Sequence, residues 1–138
     1  MSMSMTKGEM LFEIHEKAST QTIKEFSPAG VRMELNAQGT VSGKHNGAHM
    51  ETINILQKPD GTNEWQGKGI EMTTEGDMIM ITAKGTGKSQ GMTGTFQGEA
   101  TFMTGSKKLE WMNTAKGWIE GTNDISKNEA HIKVYAMK

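Results

Sequence analysis

The sequence predicts an all-β protein: a closed, eight-stranded antiparallel barrel with up-and-down (meander) strand order. It has 17 glycines and 2 prolines, a composition that favours a β-meander over helices. Apolar and polar residues alternate with a period of two over most of the chain, which is the period of a strand. Glycine pairs also recur in mid-strand, such as Gly67/Gly69 and Gly85/Gly87. Glycine inside a strand marks the tight bends that a closed sheet needs.

With 138 residues, the chain is long enough for one domain with a real core. We expect a flexible N-terminal tail over residues 1–8 and a single barrel domain over 9–138. The first strand is predicted at Glu9–Glu16, where Met10, Phe12 and Ile14 share one face. Residues 17–30 fit either a short helix or extended chain, and we treat them as a connector that ends at a Ser-Pro-Ala-Gly turn.

From Val31 onward the alternation is regular, and the turns set the strand boundaries. Three turns place glycine third, as a three-residue hairpin with a G1 bulge requires: His45-Asn46-Gly47, Pro59-Asp60-Gly61 and Thr74-Glu75-Gly76. Gln90-Gly91 and Gly105-Ser106 suit two-residue hairpins. The final strand includes residues 130–136, and we expect it to pair with the first strand and close the barrel.

Each turn implies specific cross-strand neighbours. The Pro-Asp-Gly turn places Ile55 by Trp65, Ile53 by Gly67, Glu51 by Gly69 and His49 by Glu71. The Thr-Glu-Gly turn places Glu71 by Ile79, Gly69 by Ile81 and Trp65 by Gly85. The Gln-Gly turn places Gly85 by Phe96, Ile81 by Ala100 and Ile79 by Phe102. The Gly-Ser turn places Ala100 by Trp111, Gly98 by Asn113 and Phe102 by Leu109. All these residues fall on one continuous face, which we predict to line the interior.

The glycine pairs, the segment Gly94–Thr104 and the closing Lys133-Val134-Tyr135 resemble small calycin-like barrels. The pattern, over residues 31–138, is most similar to the allene oxide cyclase-like barrels and their uncharacterised bacterial relatives. This resemblance implies a barrel interior that holds a small apolar molecule, in some members as an isomerase or cyclase.

Composition and motifs exclude several classes of function. Fifteen basic and 16 acidic side chains nearly cancel, so we expect no nucleic-acid or membrane-surface partner. The N-terminal residues contain no apolar signal-like run, and cytoplasmic location is the default expectation. Gly85–Ser89 lacks the first glycine of a phosphate-binding loop, and a meander has no dinucleotide-binding unit. We therefore expect no cofactor.

We also expect no metal site. There is no cysteine. His45 and His49, four residues apart on a strand, would lie about 13 Å apart. His15 and His131 have no sequence neighbours of ligand type.

The candidate catalytic residues are His49, Glu51 and Glu71, because the predicted register directs all three into the barrel. A desolvated carboxylate beside an imidazole can move a proton. The alternative is that His49 and Glu71 form a satisfied structural pair. A bulge would instead send Glu51 to solvent.

The candidate ligand-binding residues are Glu51, Trp65, Glu71, Trp111 and Asn113. Asn113 would orient a ligand or satisfy backbone groups, and the two tryptophans would either fill the core or stack on a ligand.

Thirteen methionines are present, and several alternate onto the outward face: Met50, Met72, Met78, Met80, Met103 and Met112. Together they would form an apolar patch of the kind that marks an interface. We therefore expect a homo-oligomer; the alternative is that the 17–30 connector or the tail covers this face.

These observations favour the binding of a small hydrophobic or amphipathic ligand inside the barrel. A cofactor-free isomerase or cyclase using the inward His and Glu residues is the enzymatic alternative. A structural oligomer with a filled interior is the third.

Overall fold

The computed structural model describes residues 7–137, which form a closed barrel of eight antiparallel strands in sequential order, as predicted. The strands are β1 (Lys7–Ser27), β2 (Gly30–Gly43), β3 (Gly47–Gln57), β4 (Thr62–Thr73), β5 (Met78–Gln90), β6 (Thr93–Thr104), β7 (Lys116–Asp124) and β8 (Glu129–Met137). A 3₁₀ helix covers Glu110–Thr114 between β6 and β7. Within the described residues, no helix is long and apolar enough to cross a membrane.

The first strand is longer than the sequence predicted. Lys7 and Gly8, placed in the expected tail, already belong to β1, while residues 1–6 of that tail lie outside the described part of the chain. The segment 17–30, expected to be a connector, continues β1 to Ser27 and turns directly into β2. Register shifts at Ala18/Thr20 and Ile23/Glu25 interrupt the alternation there, which is why period two alone did not identify this half of the strand.

The β3–β4 and β4–β5 registers are those that the turns predicted. Ile55 lies opposite Trp65, His49 opposite Glu71, and Gly69 opposite Ile81. Gly61 and Gly76 have φ values of 89° and 92°, the left-handed conformation that a glycine in the third turn position supplies. The turn before β3 differs, because Gly47 is already the first residue of β3 and the positive φ falls on Gly43.

The β5–β6 register is shifted by two residues from the prediction. The turn residues are Gly91 and Met92 rather than Gln90 and Gly91, so Gly85 pairs with Gly98 and Gly87 with Phe96. Ile81 likewise pairs with Phe102 and not with Ala100. A shift of two keeps every side chain on its predicted face, so the assignment of interior residues is unaffected.

The β6–β7 prediction is wrong. The strand after β6 begins only at Lys116, and Ala100 pairs with Gly117 instead of Trp111. Residues 105–115 form a loop and the 3₁₀ helix, which buries Leu109 and Met112 in the core. In an up-and-down barrel alternate turns share an end, so this segment lies at the end that carries the β2–β3 and β4–β5 turns. We call it the plugged end, and the opposite end the rim.

The core lies toward the plugged end. Several strands and the 105–115 segment contribute buried side chains to it, among them Leu11, Phe12, Ile14, Val41, Ile79, Phe102, Leu109, Met112, Ile119 and Val134. Phe12 contacts Phe102 edge to face, with ring centroids 5.9 Å apart. Toward the rim the interior is less filled, because small residues alternate there with the half-buried rings of Trp65 and Phe96.

Candidate functional site

Five ionisable side chains meet inside the barrel beside the apolar core. Glu16 comes from β1, His49 and Glu51 from β3, Glu71 from β4, and His45 from the loop before β3. His49 lies directly across from Glu71, and Glu51 is two residues further along the same face. Glu71 has no exposed surface, and His45, His49 and Glu16 are all buried. We call these five residues the interior network.

Hydrogen bonds connect the network in a chain. His45 Nε2 bonds to Glu71 Oε1, and His49 Nδ1 donates to Glu71 Oε2 at 2.7 Å. The other nitrogen of His49, Nε2, lies 3.1 Å from Glu51 Oε1 and 3.5 Å from Glu16 Oε1. Both nitrogens of His49 therefore face carboxylate oxygens, an environment suited to the doubly protonated imidazolium.

The interior raises the pKa of His49 and Glu16 and lowers the pKa of Glu51 and Glu71. Burial disfavours the charged form of His49, but hydrogen bonds to Glu51 and Glu71 outweigh it and raise the His49 pKa to about 10. Burial also opposes ionisation of Glu71 and Glu51, yet hydrogen bonds from the histidines hold the pKa of each carboxyl below its usual value. For Glu16, burial and the neighbouring Glu51 act together and raise the pKa to about 10. At neutral pH a protonated Glu16 therefore lies beside an ionised Glu51.

A cavity of about 280 Å³ extends from this network toward the rim. Glu16, His49 and Glu51 form its floor, and its walls are mainly apolar: Ile14, Leu35, Ala37, Ile53, Ile55, Trp65, Ile81, Ala83, Phe96, Ala100, Ile119 and Ile132. Among the described residues, Glu16 Oε1 and Glu51 Oε2 are buried oxygens with no hydrogen-bond partner. Buried polar atoms are rarely left unpaired in proteins, and these two oxygens leave hydrogen-bonding capacity at the floor of the cavity.

Four of the predicted site residues lie inside the barrel, and the other two do not. His49, Glu51 and Trp65 line the cavity, and Glu71 lies behind His49, where it holds the imidazole. Trp111 and Asn113 were wrongly placed inside, because their segment forms the 3₁₀ helix and not a strand. Asn113 hydrogen-bonds both backbone groups of Thr104, at 2.8 and 3.0 Å, while Trp111 is 37% exposed.

Sequence reasoning missed Glu16 and His45. Glu16 shared the face of Phe12 and Ile14 in the predicted first strand, so the alternation already directed it inward. His45 lay in a predicted turn, where no periodic signal indicates burial. The sequence analysis separated His45 from His49 because the two would lie too far apart to bind one metal ion. In the structure both rings instead hydrogen-bond to the same carboxylate, Glu71.

Two groups of side chains have the spacing of metal ligands, contrary to the argument that His15 and His131 lack ligand neighbours. Glu16, His49 and Glu51 form one group at the cavity floor. Glu13, His15 and His131 form the other on the outer wall. In each group the ligand atoms lie within 4.8 Å of one another. Each group contains one pair two residues apart on a strand, Glu13 with His15 and His49 with Glu51. The β1–β8 pairing adds His131 to the first pair, and the β1–β2–β3 pairings add Glu16 to the second.

Comparison with known proteins gives information about the fold and none about the chemistry. No protein-family model and no curated protein matches the sequence. Among solved structures, the chain is similar to a protein of unknown function from Clostridium acetobutylicum, with 20% identity, full coverage of both chains and a TM-score of 0.86. A beta-barrel like protein from Acinetobacter baumannii is 16% identical over 100% of this chain and 99% of its own, with a TM-score of 0.84.

An enzyme from Penicillium herquei also has this architecture, at 19% identity, full coverage of both chains and a TM-score of 0.72. At these identities the likeness establishes a shared small β-barrel fold and nothing about activity.

Proposed function

We propose that the barrel binds a small, largely apolar molecule whose polar end donates a hydrogen bond to ionised Glu51 and lies within hydrogen-bond reach of protonated Glu16. The observation that carries this proposal is the pair of buried, unpartnered carboxyl oxygens at the floor of an apolar cavity. An apolar pocket with a few convergent polar groups is the usual form of a small-molecule site.

The cavity also limits the ligand. Its volume of about 280 Å³ lies at the lower end for ligand pockets, so the molecule is compact. Around the rim the lining becomes polar, with Gln57, Asn63, Lys88, Asn123, Asp124 and Glu129. An amphipathic ligand would place its donor group at the floor, its apolar body along Ile53 and Trp65, and a second polar group near the rim.

The first test is native mass spectrometry of the purified protein, which reports a retained molecule, followed by titration with N-phenyl-1-naphthylamine. This apolar fluorescent probe carries one N–H donor. We expect Glu51→Gln to weaken probe binding about 10- to 100-fold, the range for losing a hydrogen bond to a charged group. Glu99→Gln, an exposed carboxylate on the outer face of β6, is the matched control.

A cavity-filling variant distinguishes interior binding from surface binding. Ala83 lines the cavity, so Ala83→Phe should exclude the probe while Glu99→Gln leaves it unaffected. Unchanged probe binding in both Glu51→Gln and Ala83→Phe, with melting transitions showing that both variants are folded, would overturn the proposal.

A second candidate, a cofactor-free isomerase or cyclase, is favoured by the contrast between Glu16 and Glu51. Neighbouring carboxyls with pKa values driven apart can serve as proton donor and proton acceptor on one substrate. In such a proton shift Glu51 would remove a proton from a carbon, Glu16 would deliver one elsewhere, and the pair would then re-equilibrate. Glu71 and His45 would keep His49 oriented without touching the substrate.

This candidate predicts turnover without added cofactor. Cell-extract small molecules incubated with the protein in D₂O should gain carbon-bound deuterium, and both Glu16→Gln and Glu51→Gln should abolish it. Deuterium uptake equal to that of a protein-free control would contradict the isomerase or cyclase candidate and leave binding as the only proposed function.

The cavity gives less support to a structural barrel with a filled interior. Membership of the allene oxide cyclase-like group, assembly into a homo-oligomer and a cytoplasmic location stay predictions from the sequence.

A further inference from the structure

A second cluster of ligand-type side chains lies on the outer wall, at the seam where β1 and β8 close the barrel. His15 and His131 are direct cross-strand partners. Their rings stack with centroids 4.1 Å apart and an interplanar angle of 13°. Glu13, two residues before His15, shares their face. Its Oε1 accepts a hydrogen bond from His131 Nε2 at 2.8 Å and lies 3.5 Å from His15 Nε2.

We propose that Glu13, His15 and His131 bind a divalent transition-metal ion of the Zn²⁺ or Cu²⁺ type, which bridges the two closing strands. Zn²⁺ binds imidazole nitrogen and carboxylate oxygen at about 2.0–2.2 Å, so neighbouring ligand atoms of a tetrahedral site are about 3.3–3.6 Å apart. The carboxylate–imidazole separations of 2.8 and 3.5 Å need changes of less than about 1 Å to reach these values.

The rings must tilt to point both Nε2 atoms at one ion, because stacked rings direct their lone pairs side by side. The solvent exposure of the two side chains permits this, at 60% for His15 and 36% for His131. Three protein ligands leave the remaining coordination positions to water. Two imidazoles also select for Zn²⁺ or Cu²⁺ over Mg²⁺ and Ca²⁺, which prefer all-oxygen sites.

Such an ion would strengthen the seam where the first and last strands close the barrel. The β1–β8 ladder has register shifts between Lys7 and Phe12, and its continuous part runs only from Phe12 to Lys17. The His15–His131 pair lies in the middle of that part. An ion that binds only the folded chain stabilises it by mass action, so the thermal midpoint should rise with metal concentration.

This site is separate from the ligand-binding function proposed above, because Glu13 and His15 face outward while Ile14 and Glu16 line the cavity. The interior group of Glu16, His49 and Glu51 is the competing location for an ion. Variants of each group therefore decide between the two locations.

The experiment uses the tag-free full-length protein, since an affinity tag would itself bind the metal. Zn²⁺ titration by calorimetry and Zn²⁺-dependent thermal melts are run on wild type, His15→Asn, His131→Asn, Glu13→Gln and Glu51→Gln. We expect one site, at least tenfold weaker binding in either histidine variant, a smaller loss in Glu13→Gln, and no change in Glu51→Gln. The Zn²⁺-induced rise in midpoint should disappear in both histidine variants, and Mg²⁺ should cause none.

His15 is exposed and His131 is half-buried, and metal-free melts of the two histidine variants show whether they fold like wild type. Absence of saturable Zn²⁺ binding by wild type overturns the proposal. Zn²⁺ binding of wild-type affinity in both His15→Asn and His131→Asn overturns it as well, and loss of that binding in Glu51→Gln would place the ion at the cavity floor.

Discussion

Glu71 has no exposed surface and accepts hydrogen bonds from His45 and His49 on its two oxygens. Such an environment compensates the desolvation of a buried carboxylate only while both partners are present. Glu51, by contrast, keeps one oxygen unpaired toward the cavity. Two carboxylates of one network therefore differ in environment: both oxygens of Glu71 are paired and hold His49, whereas one oxygen of Glu51 has no partner.

Glu71→Gln should lower the free energy of unfolding by about 3–5 kcal/mol, the usual range for breaking a buried ion pair. Glu51→Gln should lower it by far less, since it leaves His49 with its Glu71 bond. Urea unfolding of both variants measures the difference. Equal losses in the two would show that Glu51 is as structural as Glu71.

The raised pKa values predict how stability depends on pH. His49 rises from 6.5 and Glu16 from 4.5, both to about 10, so each binds its proton more tightly in the folded state. Their stabilising contributions are complete below 4.5 for Glu16 and below 6.5 for His49, and are lost as pH rises through about 10. Glu51 and Glu71 have lowered pKa values, so their contributions are lost only in acid.

We therefore expect the thermal midpoint to fall as pH rises above 4.5, and to fall more steeply above 6.5. Glu16→Gln mimics the protonated carboxyl at every pH and should remove the shallower part of this decline. Melts across the range measure the effect, with Glu99→Gln as control. A Glu16→Gln profile that parallels wild type would contradict the assignment of a protonated Glu16.

At the scale of the strands, glycines make room for two aromatic rings near the rim. A Cβ added at Gly85 or Gly98, which are cross-strand partners, would lie 2.7 or 2.8 Å from Trp65 Cζ2. A Cβ at Gly121 would meet the ring of its own partner, Phe96. Sequence reasoning paired Phe96 with Gly85, whereas in the structure the Phe96 ring covers Gly121 and the Trp65 ring covers Gly85 and Gly98.

Gly85→Ala should destabilise the barrel by about 1–3 kcal/mol or more, because overpacked side chains force the backbone to shift. The added methyl would also press on the backbone of Gln97. Gly105→Ala is the matched control, since a Cβ there meets nothing within 4 Å. A denaturation midpoint as high in Gly85→Ala as in Gly105→Ala would contradict the described register between β4, β5 and β6.

At the scale of the whole molecule, one face of the barrel carries an exposed methionine patch. It comprises Met50, Met72, Met78, Met80 and Met103, each between 41% and 62% exposed. Met72 pairs with Met78 and Met80 with Met103 across neighbouring strands. Met112, expected in this patch, is instead fully buried in the 3₁₀ segment. The predicted connector over 17–30 forms the end of β1, a turn and the first residue of β2, so it is not a separate segment over the patch. Residues 1–6 of the expected tail, the other predicted cover, lie outside the described part of the chain.

The predicted homo-oligomer is tested by replacing Met80 and Met103 together with lysine. An unpaired charge buried at a subunit contact is costly, so sedimentation velocity should show the wild-type oligomer dispersing to smaller species. Lysine at the exposed Met92 position, which lies in the β5–β6 turn, controls for added charge. A monomeric wild type, or an oligomer indifferent to both substitutions, would rule out this contact.

Local patterns within the sequence predicted the barrel and four of the residues in its interior site. Period-two alternation and the Pro-Asp-Gly and Thr-Glu-Gly turns act over a few residues, and they correctly paired β3, β4 and β5. His49, Glu51, Glu71 and Trp65 therefore reached the interior in the predicted order.

The sequence predicted that the first and last strands close the barrel, but the residues that this closure brings together, and the plug, depended on tertiary structure. Pairing of β1 with β8 joins residues more than a hundred positions apart and creates the outer His15–His131 pair, while the β1–β2 and β2–β3 pairings place Glu16 near His49 and Glu51. Residues 105–115 leave the strand pattern because Leu109 and Met112 gain more by capping the apolar core than by continuing a ladder. Neither effect has a local signal, since each stabilises the chain through contacts that exist only once the barrel is closed.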